Sequence, residues 1–102
     1  MEVSKHAKKR IRKRMTNTKS GTENIAKKAL ERGIKHSDAT GRLKKYFDAL
    51  YFKNKKANNV RIYAQKVFIF HNENLITMFN LPKQFFNMVK KYDKHQKDEN
   101  FM

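Results

Sequence analysis

Residues 60–79 read VRIY-AQK-VFIF-HNEN-LITMF, three short runs rich in β-branched and aromatic residues, set apart by polar connectors of three and four residues. Such runs favour strands. Connectors this short return the chain antiparallel to itself, because a parallel crossover needs about a dozen residues or more. The segment therefore reads as a three-stranded antiparallel meander. Pro82 ends its last strand, since proline lacks the amide that a ladder requires. Between Ala57 and Pro82 the only charges are Arg61, Lys66 and Glu73, whereas residues 1–35 carry twelve basic and three acidic side chains. The charge-poor middle supplies the core.

The segments flanking the meander follow helical spacing. In SKHAKKRIRKRM, residues 4–15, the apolar positions Val3, Ala7, Ile11 and Met15 recur every fourth residue, the spacing of one helix face. Ser4 stands where an N-cap accepts from unpaired first-turn amides. His6 and Arg10 share a flank of this helix, with Arg14 a turn further on, while Lys8, Lys9, Arg12 and Lys13 point outward. TNTKSGTEN then reads as a loop. A second helix follows, with Ser20 and Glu23 at the spacing of a capping box, Ile25, Ala29 and Leu30 as its apolar stripe, and Gly33 closing it in a left-handed conformation. A third runs through GRLKKYFDALYF on Leu43, Tyr46, Phe47, Leu50 and Tyr51, and KNKKANN connects it to the meander. After Pro82, Phe85, Phe86, Val89 and Tyr92 give a short C-terminal helix. The expected fold is α+β: N-terminal helices, a three-stranded antiparallel meander and a short C-terminal helix, in a single domain over residues 1–92 with a polar tail over 93–102.

The chain has 102 residues, 25 Lys and Arg against 9 Asp and Glu, and a formal charge of +16. A small body with that charge attracts polyanions, and nucleic acid is the commonest, because neutralised phosphates release condensed counterions without any base-specific contact. The candidate contacts are Lys5, Lys9, Arg10, Lys13 and Arg14 on the first helix, Arg42, Lys44 and Lys45 on the third, and Arg61 in the first strand. A membrane partner is disfavoured: no apolar run approaches the roughly 18 residues of a spanning helix, and there is no Trp to anchor a surface helix. With no cysteine, disulfides, thiolate metal sites and Cys nucleophiles are unavailable, and a reducing cytoplasm fits. The N-terminus lacks the continuous apolar segment of a secretory signal.

The S-x-H-A-x-x-R-x-x-x-R pattern of SKHAKKRIRKR, a second amphipathic helix and the late strand in LITMFNLP together resemble the barnase–EndoU–colicin–RelE superfamily of metal-independent ribonucleases, many of them found in toxins and mobile elements. The resemblance covers about two thirds of the chain, in pieces, with short motifs. It implies a helix-borne histidine at His6, basic partners at Arg10 and Arg14, and a strand hydroxyl at Thr77. Metal-free RNA cleavage needs a base for the ribose 2′-hydroxyl, cations for the developing phosphorane charge and a donor for the leaving oxygen. Imidazole changes charge near neutral pH and suits the first role, while the planar fork of Arg10 suits phosphate oxygens. Thr77 is the sole hydroxyl in an apolar strand. As catalytic candidates, His6, Arg10 and Thr77 stand against a plainer reading: a surface histidine, phosphate-positioning arginines and a β-branched strand former. No carboxylate is placed in sequence to orient His6.

Other motifs carry less chemistry. HNEN has neither the ligand count nor the spacing of a metal site, and Gly21, Gly33 and Gly41 form no phosphate loop, so no metal or cofactor is expected. Aromatics interleave with cations from Tyr46 to Tyr63. A stripe at helical spacing is usually packing, and Tyr46, Phe52 and Tyr63 are the rings to watch for exposure and base stacking. Two functions stay open: an endoribonuclease of toxin or mobile-element type acting on single-stranded RNA, or a non-catalytic module binding RNA, DNA or a nucleoprotein machine, as an anti-CRISPR-like or host-takeover phage protein would. RNA is favoured over DNA in both.

Overall fold

The computed structural model describes residues 1–15 and 19–90. The polar tail expected over 93–102, the place of Tyr92 in the last helix and part of the TNT loop lie outside the described residues. Helix α1 spans Lys5–Arg14, α2 Lys19–Arg32 and α3 Gly41–Lys53, with a short 3-10 turn at His36–Asp38 between the last two. Strands β1 (Asn59–Tyr63), β2 (Lys66–His71) and β3 (Asn74–Asn80) follow, then a 3-10 turn at Lys83–Phe85 that leads into helical residues 86–90. The three strands pair antiparallel in the order β1-β2-β3. The α+β architecture is the one the sequence dictates.

Helices cover both faces of the sheet. On one face, Phe68, Phe70, Leu75 and Met78 pack with Val3, Ala7 and Ile11 from the α1 region and with Ala26 and Ala29 of α2. On the other, Val60, Ile62, Val67 and Ile69 meet Leu43, Phe47 and Leu50 of α3, and Leu81, Phe85 and Val89 from the C-terminal segment. Strand β2 is consequently buried on both sides, from Val67 through Phe70. An uninterrupted apolar run is the expected signature of a strand sandwiched in this way.

A bulge between Ile69 and Phe70 breaks the β2–β3 register: Ile69 pairs with Thr77 and Phe70 with Leu75, which leaves Ile76 as the extra residue. The bulge puts Leu75 and Met78, three residues apart, on the same α1–α2 face. Both outer edges of the sheet are occupied. Ile34 bridges Ile62 on β1, with amide-to-carbonyl bonds of 2.8 and 3.1 Å, and Val3 bridges Leu75 on β3. Each bridge covers one position of its edge strand, Ile62 on β1 and Leu75 on β3.

Two local expectations for the second helix are corrected. Helix α2 starts at Lys19, so Ser20 lies inside it and is not the N-cap of a capping box with Glu23. Its buried face is Thr22, Ala26 and Ala29, with Ile25 and Leu30 only partly buried. Small side chains let α2 sit close to the sheet, and that packing extends the helix through residues whose propensity favours a loop. Gly33 does not adopt a left-handed conformation; a Cβ there would collide with the Ala29 carbonyl oxygen and lie 2.8 Å from Cβ of Arg61. Glycine is required by close approach. Gly33→Ala should destabilise the protein by about 1–3 kcal/mol, the usual effect of overpacking, and a lowered urea midpoint at unchanged slope would show it.

Candidate nucleic-acid interface

Helix α1 is held to β3 at three levels. Ahead of the helix, the Ser4 amide donates to the Leu75 carbonyl at 2.9 Å, and the Leu75 amide donates to the Glu2 carbonyl at 2.8 Å. At the cap, the Ser4 hydroxyl accepts from the Ala7 amide at 3.1 Å, as an N-cap should, and also donates to the Ile76 carbonyl. Further along, Arg10 Nη1 donates to the Met78 carbonyl at 3.0 Å. With Ala7 and Ile11 fully buried beneath, the orientation of the helix is set by its contacts with the sheet.

The opposite side of α1 is a cationic surface. Lys5, Lys8, Lys9, Arg12 and Lys13 line an open concavity of about 540 Å³. No acidic residue occurs in the helix, and Arg12, Lys13 and Arg14 in its last turn lie at the negative end of the helix dipole. Among the sequence candidates, Lys5, Lys9, Lys13 and Arg14 are exposed here. Arg10 is half-buried, with part of its fork engaged by Met78.

The three residues singled out for catalysis are placed differently from one another. His6 is exposed and makes no hydrogen bond or ion pair among the described residues. It sits one turn from Arg10 on α1. Thr77 pairs with Ile69, whose side chain belongs to the α3-side cluster, and directly paired residues share a sheet face. Its side chain is therefore on the face opposite the one that packs against α1. The structure brings His6 and Arg10 onto one helix and sets the sheet between them and Thr77.

The remaining candidates fall elsewhere. Arg42, Lys44 and Lys45 are exposed on α3, across the sheet from α1. Arg61 is half-buried: Nε donates to the Leu30 carbonyl and Nη1 to that of Val60, each at 3.2 Å. Burial lowers the pKa of this guanidinium, opposed by the nearby Tyr51 and Asp38. It serves the C-terminal end of α2, where a cation meets unpaired carbonyls. Of the three rings to watch, Phe52 is 80% exposed, while Tyr46 packs on Phe85 with ring centroids 4.5 Å apart and Tyr63 meets Phe68 edge-on at 6.4 Å.

Sequence reasoning passed over His36. Its Nε2 lies 2.6 Å from Oδ1 of Asp48, and its ring stands edge-on to Phe47 and Tyr51 at 5.9 and 5.7 Å. This is the oriented imidazole–carboxylate pair that His6 lacks. The two residues of the pair stand twelve apart, one in the 3-10 turn and one in α3, and no motif marks them. His71 is structural, its Nδ1–H donating to the Lys56 carbonyl at 2.6 Å. Among the described residues there is no cluster of three metal-ligating side chains, and no helix is long and apolar enough to cross a membrane. Comparison with protein-family models, curated proteins and solved structures finds no match.

Proposed function

We propose that this protein binds nucleic acid, RNA ahead of DNA, through the outward face of α1. One observation carries the reading: five cations of a single acid-free helix line one concavity, on a helix whose angle to the sheet is set by backbone bonds and buried side chains. A fixed array of point charges recognises phosphates without reading bases, so affinity depends on charge number and on salt. The partner is a single-stranded RNA or the accessible nucleic acid of a nucleoprotein complex, in a cytoplasmic setting consistent with the cysteine-free composition.

The endoribonuclease reading rests on the resemblance and on His6, an unpartnered exposed imidazole one turn from Arg10. A strand hydroxyl on the other sheet face does not complete that site, so the non-catalytic module is the better supported of the two. A single assay separates them. Binding of a labelled RNA should weaken with salt at a slope of about 0.7 in log K per neutralised phosphate, and no 2′,3′-cyclic phosphate ends should form in EDTA. A flat salt response rules out the binding reading. Cyclic ends that disappear in His6→Ala, with binding retained, move the assignment to the nuclease.

A further inference from the structure

A second site lies on the other side of the sheet. Arg42, Lys45 and Tyr46 of α3, with Gln84, Phe85 and Met88 of the C-terminal segment, enclose a cleft of about 380 Å³. That volume falls in the range of about 300–1,000 Å³ typical of small-ligand clefts. The half-buried Tyr46 ring, backed by the buried Phe85 at a tilt of 32°, and the Met88 thioether make an apolar floor. Four polar groups surround it. The Arg42 and Lys45 cations and the Gln84 carboxamide are exposed, Tyr46 is half-buried, and none of the four side chains makes a hydrogen bond or ion pair among the described residues.

Those groups divide by chemistry. A flat π-surface and a soft thioether favour a flat heteroaromatic ring, a carboxamide offers a donor and an acceptor to its edge, and paired cations favour a phosphate. Arg42 stands in the first turn of α3, where Thr40 provides no side-chain cap and no acidic residue is present, so the unpaired amides of that turn add to the positive field. No acidic side chain lines the cleft. We infer that this cleft holds one nucleoside phosphate unit, its base on Tyr46 and Met88 and its phosphate at Arg42 and Lys45. The site does not depend on α1, which packs on the opposite face of the sheet.

Amide shifts in ¹H–¹⁵N spectra of the full chain test this. The probes are nucleoside 5′-monophosphates, the matching nucleosides, inorganic phosphate, a 5′-phosphorylated trinucleotide and an acidic peptide. Monophosphate or trinucleotide should move the amides of Arg42, Tyr46, Gln84 and Phe85 together, and whichever binds tighter identifies a free nucleotide or a strand as the source. Nucleoside or phosphate alone should bind at least tenfold more weakly. Arg42→Gln and Gln84→Ala, both at exposed positions, should each weaken the shift-derived affinity several-fold, whereas Lys9→Gln with Arg12→Gln should leave it unchanged even if RNA binding by α1 is lost. The inference is overturned if neither nucleotide probe shifts these amides, if phosphate alone matches the monophosphate, or if the acidic peptide binds the cleft more tightly than either nucleotide.

Discussion

Replacing Phe68 by alanine is expected to lower stability by about 3–5 kcal/mol, the cost of lost transfer energy plus an unfilled cavity in a close-packed core. Phe68 is completely buried in the central strand and pairs with Arg61 on one side and Met78 on the other, beneath the α1–α2 layer. Both layers are anchored on β2, so its collapse cannot be confined to one helix. Small domains have total stabilities of about 5–15 kcal/mol, and this one also carries the self-repulsion of a +16 charge. The variant should therefore sit near its unfolding threshold in urea. Phe52→Ala provides the contrast: that ring is 80% exposed, and its removal should change stability by no more than about 0.5 kcal/mol. Equal effects of the two truncations would refute the burial of Phe68 beneath the α1–α2 layer.

The second large effect is on binding. Changing Lys5, Lys9, Arg12 and Lys13 together to glutamine should reduce the salt slope for single-stranded RNA by about 2.8, four times the roughly 0.7 per phosphate expected for single strands. If the two proteins converge near 1 M salt, the affinity loss near 0.1 M is on the order of several hundredfold. These four side chains are exposed and make no hydrogen bond or ion pair among the described residues, so folding should survive. Lowering the formal charge from +16 to +12 should even relieve some self-repulsion. A control that neutralises Lys27, Lys28, Lys53 and Lys55, four exposed cations that line neither the α1 surface nor the α3 cleft, separates a local interface from a general effect of charge. If both sets reduce binding equally, α1 is not the interface and the net charge alone accounts for affinity.

Much of the fold was legible because its signals are local. The spacing of Val3, Ala7 and Ile11 fixes which side of the first helix is buried, and the β-rich runs from Val60 to Phe79 fix three strands and their antiparallel order. Ser4 was identifiable as a cap from its position before the periodic run, and the structure adds its bond to Ile76. The second helix was misjudged at both ends. Thr22 in its first turns is buried, and Gly33 is required both by the Ala29 carbonyl oxygen one turn back and by the approach of Arg61 from β1. The approach of Arg61 is a contact that no local sequence pattern carries.

The candidate site divides in the same way. By itself, the sequence determined that the chain is strongly basic, that its first helix has an apolar and a cationic side, and that a meander forms the core, because periodicity and charge are properties of neighbouring residues. Only the tertiary structure decided that helices cover both sheet faces, that Thr77 lies across the sheet from His6, that Arg61 serves the end of α2, and that His36 meets Asp48. A one-residue bulge at Ile76 shifts the facing of β3, and residues far apart in the chain become partners through packing alone.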